Sequence, residues 1–260
     1  MWLTPFLRQP DVLVMATFVL VVAGCAAAAP HIGGALLRLP RSAERDASAF
    51  EGYKIVFSTF GVMLAFLLAQ AAMAHREVQS NIVKEAAALS EADRALLRLG
   101  TPDFAAVRPG LASYGALIVD DEWRAQSIGG RSAAATAAFA GVSDRVRALG
   151  PDDTRRQALY NALLRSLDEL EGLREARLAA SAGALPTSLW TAVIGLMIIA
   201  FAVAAFADRS FNRSVSLAAI AAAIGLLLSL VVIVDLPFIG EHSVSVAPIQ
   251  RALEVNAARK

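Results

Sequence analysis

Four apolar runs, two near each end of the chain, restrict what it can fold into: Val12 to Ala29, Ile55 to Ala74, Thr187 to Ala207 and Val215 to Val234. A bilayer's hydrocarbon core is about 30 Å thick, so a helix rising about 1.5 Å per residue needs about 20 apolar residues to cross it. Three runs have that length and the first falls slightly short. No charged residue interrupts any of them, and an ion near the bilayer centre costs about 3 kcal/mol. A soluble fold would have to bury all four completely, whereas soluble helices keep a polar face. With 57% apolar residues and a formal net charge of +1, the chain is expected to be a multi-pass protein of the cell (inner) membrane. Its first partner is the lipid bilayer, and no basic excess points to nucleic acid.

Polar punctuation marks the ends of the runs. Pro186 and Trp190 open the third, and an indole there suits the membrane interface. Asp208, Arg209, Asn212 and Arg213 form a short polar turn that makes the third and fourth an antiparallel hairpin, and Asp235 and Pro237 close the fourth. The first run has a rival reading. Val22-Ala23-Gly24-Cys25 has the form of a bacterial lipobox, which would make Cys25, the single cysteine, a lipidation site. Against this, only Arg8 precedes the run as a basic residue, and Asp11 sits directly before it. A retained helix is the expected outcome.

The polar middle reads as helix almost throughout, with charges nearly balanced in sign. The second span runs on at helical spacing through Val78, Ile82, Val83, Ala86 and Leu89 to Ser90-x-x-Asp93, which is expected to cap a new helix. Gly100-Thr101-Pro102 is a break with Thr101 as N-cap. Another helix is expected from Leu111 to Gln126, its wet face carrying Asp120, Asp121 and Glu122; Gly129-Gly130 and Gly150-Pro151 bracket the next. From Asp152 onward, Leu159, Leu163, Leu167, Leu170 and Leu173 form a stripe that packs on neighbouring helices or on another subunit.

The expected fold is therefore all-α: four transmembrane helices in two pairs with a helical extramembrane bundle between the second and third. Residues 1–75 hold the first pair and its loop, 76–185 the helical region, 186–237 the second hairpin and 238–260 the C-terminal tail. An even number of spans puts both termini and the middle on one side, provided the first run is retained.

Catalytic chemistry is hard to find. His31, His75 and His242 lie far apart with no carboxylate or cysteine at metal-binding spacing. No Gly-rich phosphate loop or nucleophile elbow occurs. Asp120, Asp121 and Glu122 carry oxygens that calcium favours, but consecutive helical residues point in different directions. No catalytic, cofactor or metal site is assigned, and an enzyme is not expected. The second span presents Phe57, Phe60, Met63, Phe66 and Leu67, which in an oligomer could line a hydrophobic constriction. Contact with lipid or a neighbouring helix is the commoner use of such residues.

Several stretches resemble a bacterial family of four-span proteins called bestrophin-like. They are Val83, Glu85, Ala86, Ala88 and Leu89; Tyr114 to Glu122-Trp123; and Arg174, Arg177, Leu178, Gly183, Pro186 and Trp190. The most specific piece is the tail, Asp235-Leu236-Pro237-Phe238-Ile239-Gly240, then Val244-Ser245 and Pro248. Val246 and Ile249 depart mildly from the pattern. The family's name compares it with bestrophins, so the resemblance implies a homo-oligomeric channel-like protein, an anion as partner and an apolar neck on the second span. Phe57, Phe60 and Phe66 are the candidate pore-lining residues on that comparison. The alternative is a non-conducting membrane module whose helical middle binds a partner or senses the envelope. Read without the family, the tail is expected to be a structural latch: Pro237 ends the helix, Gly240 turns the chain, Asp235 accepts hydrogen bonds from exposed amides, and Val244, Val246 and Ile249 fold back against the central bundle.

Orientation divides the two arguments. Arg38, Arg41, Arg45, Lys54, Arg209 and Arg213 favour a cytoplasmic place for the short loops and an outside place for the middle, whereas bestrophin likeness puts the middle inside.

Overall fold

A computed structural model describes residues 4–37, 42–151, 154–181 and 183–259. Among these residues the chain is all α-helical, and four helices are long and apolar enough to span a membrane. It divides into two compact units, one of residues 2–74 and 184–242 and one of residues 75–183 and 243–260.

In the first unit a short α1 (Thr4–Leu7) precedes α2 (Asp11–Leu37), and α3 begins at Ala43 and runs to Leu99. The unit takes α3 as far as Ala74. Pro30, directly after the first apolar run, lies inside α2, so the helix continues past that run to Leu37. Neighbouring groups can relieve the amide bond that an intramembrane proline removes. Arg38 and Arg41 lie outside the described residues. The other two spans are α9 (Thr187–Ala204) and α10 (Phe211–Asp235), joined by a tight turn capped by Ser210, whose hydroxyl accepts from Arg213 N.

Apolar packing between spans gains little over lipid, so close approach and internal hydrogen bonds carry more of the association. Small residues permit that approach where α2 meets α9 and α10. A Cβ on Gly33 would stand 2.3 Å from Ala205 O, and one on Gly225 3.0 Å from Phe18 O. The inner stripe of α3, Tyr53, Phe57, Phe60, Leu64 and Leu67, fills the centre against Ala200, Leu217, Ala221 and Ile224. Tyr53 donates its hydroxyl to Leu217 O at 3.0 Å. At one end Asp46 pairs with Arg213, accepting from Nε at 3.0 Å, and also takes the Asp208 amide at 2.8 Å.

The second unit takes the rest of α3, from His75 to Leu99. Ser90 and Asp93 start no new helix: α3 is uninterrupted through both, because no glycine or proline breaks it before Gly100. That glycine adopts φ +68°, and Thr101 then caps a single turn, α4 (Pro102–Ala105). The next helix starts earlier than expected, as α5 (Arg108–Leu117). It passes through one π-helical turn, Ile118–Glu122, into α6 (Trp123–Gln126). After Gly129, at φ +73°, come α7 (Ala133–Leu149) and α8 (Thr154–Ala180); Asp152 lies outside the described residues. The leucine stripe of α8 is used within the unit, with Leu163, Leu167 and Leu170 fully or nearly buried. Finally α11 (Ala247–Ala257) packs on α5, where Gly115 leaves room for Leu253.

The seam at Gly33 has a direct consequence. Gly33→Ala forces α2 away from the Ala205 carbonyl, whereas Gly195→Ala meets nothing within 4 Å. Thermal unfolding of detergent-solubilised protein is expected to lose about 1–3 kcal/mol for the first, and to hold level or gain up to about 1 kcal/mol for the second.

Candidate functional site

Four ionised side chains lie fully inside the helical unit. Glu85 of α3, Glu122 of the π turn, and Arg174 and Arg177 of α8 are each at most 3% exposed. Arg177 donates from Nε to Glu85 Oε2 at 2.7 Å, from Nη2 to Glu85 Oε1 at 2.9 Å and from the same nitrogen to Glu122 Oε1 at 2.9 Å. Arg174 donates from Nε to Glu122 Oε1 at 3.0 Å and from Nη2 to Thr136 Oγ1 at 2.8 Å. Gln126 accepts from Arg177 Nη1 and donates to its backbone carbonyl at 3.2 Å. Trp123 lies 5.4 Å from the Arg177 guanidinium.

Two carboxylates and two guanidiniums make the group neutral, which is what allows it to be dry. Burial alone would raise the Glu122 carboxyl; hydrogen bonds from Arg174 and the charge of Arg177 overcome it and hold the group below the usual carboxylate range. Burial likewise works against Arg174 and Arg177, and their glutamates more than restore the charged forms. Tyr114 stands in the same field. Burial first and Glu85 next push its phenol far above its ordinary value, and its hydroxyl has no hydrogen-bond partner among the described residues.

The sequence reading of Asp120, Asp121 and Glu122 as one wet acidic face is corrected here. Asp120 and Asp121 are exposed, but Glu122, within the π turn, is 0% exposed and shares the inner face with Ile118 and Gln126. Its oxygens are taken by arginines, and among the described residues no group of three acidic, histidine or cysteine side chains gathers to hold a metal.

The three candidate phenylalanines do not share a face. Phe57 and Phe60 point into the centre of the membrane unit, at 3% and 0% exposure, while Phe66 is 58% exposed. The outward stripe of α3 is Ile55, Thr59, Val62, Phe66, Gln70 and Met73, all exposed and recurring at three and four residues. Gln70 is the one large polar side chain within the four apolar runs.

In the tail, Asp235 Oδ1 accepts from the Ala184 and Leu185 amides, each at 2.9 Å, which ties the end of α10 to the start of α9. Gly240 holds φ +86°, and a Cβ there would meet Leu7 O at 3.2 Å. Asp11 pairs with His242 and donates its amide to Glu241 Oε2 at 3.3 Å. Phe238 is buried, and Pro248 lies in the first turn of α11. His31 meets Ser214 Oγ at 3.3 Å. Cys25 sits on the exposed side of α2.

A family model described as Bestrophin-like domain matches residues 15–249. Two solved variants of a bacterial bestrophin homologue from Klebsiella pneumoniae share the fold. One is 12% identical with a TM-score of 0.63, covering 94% of this chain and 99% of that one. The other is 13% identical with a TM-score of 0.60, covering 96% and 100%. A third crystal structure, of a substituted membrane protein, is 11% identical with a TM-score of 0.61, covering 96% and 99%. No curated protein matches the chain.

Removing one member of a buried ion group strands the others, at about 3–5 kcal/mol. Glu122→Gln is expected to lower stability by about 3 kcal/mol. The sign with pH follows from its depressed folded value. The stabilisation is complete above the unfolded glutamate pKa, about 4.3, and is lost as pH falls through the lower folded value. Unfolding temperatures measured down an acid series check this: the Glu122→Gln variant starts lower and falls less steeply.

Proposed function

The chain belongs to the bestrophin-like family, and on that premise we propose that it forms a homo-oligomer in the cell inner membrane and conducts anions between its subunits. The observation that carries this reading is the outward stripe of α3. Thr59 and Gln70 there interrupt a row of Ile55, Val62, Phe66 and Met73. Thr59 can satisfy itself on Ile55 O at 3.1 Å, but an exposed amide such as Gln70 is poorly suited to lipid. Around a central axis the same stripe would give a narrow passage, with Val62 and Phe66 as the apolar constriction and Gln70 as a polar ring. Phe57 and Phe60 stand behind this wall and brace it through packing.

The alternative, a non-conducting module whose helical middle binds a partner or senses the envelope, draws on the leucine stripe of α8 and on the lack of pore chemistry, and Leu163, Leu167 and Leu170 of that stripe are buried inside the helical unit. The conducting reading is therefore preferred.

Planar-bilayer recording tests it on protein whose subunit count has been fixed by native mass spectrometry. The expected result is a chloride-dependent current that rises in Phe66→Ala, which widens the constriction, and stays level in Ile198→Ala, which alters the outward face of α9. A verified oligomer that passes no current refutes the reading.

A further inference from the structure

We propose that a cleft in the helical unit, bounded by α3, α5 and α11, binds a small amphiphilic anion, a carboxylate with a short aliphatic tail. The cleft encloses about 470 Å³, within the range of small-molecule sites. Its polar end is built around Asp93, whose side chain is 6% exposed. Arg108 donates to it from Nε at 2.7 Å and from Nη2 at 3.3 Å. Arg259 Nη1 lies 3.8 Å from the same carboxylate.

Two guanidiniums thus share one carboxylate, and the surplus is one positive charge. Neither arginine has used all its donors. Arg108 spends Nε and Nη2 on Asp93 and on the carbonyls of Asn256 and Arg259. Arg259 spends Nη1 on Ser90 O at 3.3 Å and on Asn256 Oδ1 at 2.8 Å. Among the described residues, Arg108 Nη1 and Arg259 Nε and Nη2 make no hydrogen bond. The two side chains are 22% and 26% exposed, so these donors can be reached from water without being fully hydrated. A guanidinium edge in that state fits a carboxylate better than any neutral head group.

The rest of the lining is apolar, and two small side chains one turn apart make the space. Ala112 and Ala116 of α5 face Leu89 of α3 and Leu253 of α11. An aliphatic tail lying there removes apolar surface on both sides from water. Among the described residues no aromatic side chain lines the cleft for a base to stack on, so a nucleotide is a poor match. The positive surplus disfavours a metal cation or an amine.

Octanoate is the probe. Equilibrium dialysis would use the full chain in nanodiscs of zwitterionic lipid, with protein-free nanodiscs subtracted and octanol as the uncharged control. The expected result is saturable octanoate binding at one site per chain, at least about tenfold tighter than octanol. Arg259→Gln removes the surplus charge, and Ala112→Leu fills the tail site from an exposed position; each is expected to weaken binding at least about tenfold. If Arg259→Gln fails to fold, Ala112→Leu decides alone. Absence of saturable octanoate binding, equal binding of octanol, or binding unchanged in Ala112→Leu overturns the proposal.

Discussion

Hydrocarbon offers a backbone amide or carbonyl nothing to bond to, and the architecture of the membrane unit follows from that single constraint. Each span closes its own hydrogen bonds as a helix. Even the turn between α9 and α10 is kept short and capped by Ser210. Because apolar side chains gain little by leaving lipid for one another, the spans are fitted together by other means: glycines at the α2 seam, the Tyr53 hydroxyl on a backbone carbonyl, and Asp46 with Arg213 at one end. The same constraint makes an outward polar residue informative. Gln70 faces away from its own unit, and a lipid neighbour would leave its amide unsatisfied.

The helical unit is governed by water rather than by lipid, yet it too encloses charge. Glu85, Glu122, Arg174 and Arg177 lie on three separate stretches of chain and satisfy one another's hydrogen bonds. Such a group adds little net stability compared with a well-packed apolar core. What it adds is intolerance of any other arrangement, since shifting α8 against α3 or the π turn would strand a buried ion. The π turn belongs to this device. It carries Glu122 on the buried face that Tyr114, Ile118 and Gln126 also occupy.

Much of the fold was legible because hydropathy over a span-length window is a strong signal, and the four apolar runs became the four long helices. The helix breaks at Gly100 and Gly150 were legible for a simpler reason, since both glycines hold positive φ. The candidate site was less so. Arg174 and Arg177 continue the spacing of Leu163, Leu167 and Leu170, which is the buried register of α8. Glu85 likewise follows Val78 and Ile82, and Glu122 follows Tyr114 and Ile118. Four ions at apolar positions, two of each sign, were the signal of an internal network, and it was readable in the chain itself. A period drawn from one helix cannot say which partner a buried charge will meet, and it cannot foresee a π turn. It also cannot say which face of an apolar helix points outward. Phe57, Phe60 and Phe66 are alike in type, and only packing separates the first two from the third.

The central claim is that the outward stripe of α3 faces water and not lipid, and thiol accessibility tests it most directly. On a Cys25→Ala background, Phe66→Cys and Gln70→Cys place single thiols on the stripe, and Ile198→Cys places one on the outward face of α9. Reaction with a membrane-impermeant thiosulfonate reagent is measured on the reconstituted protein. The account predicts rapid modification at 66 and 70 and none at 198. Protection of all three positions, matching a face buried in lipid, would contradict it.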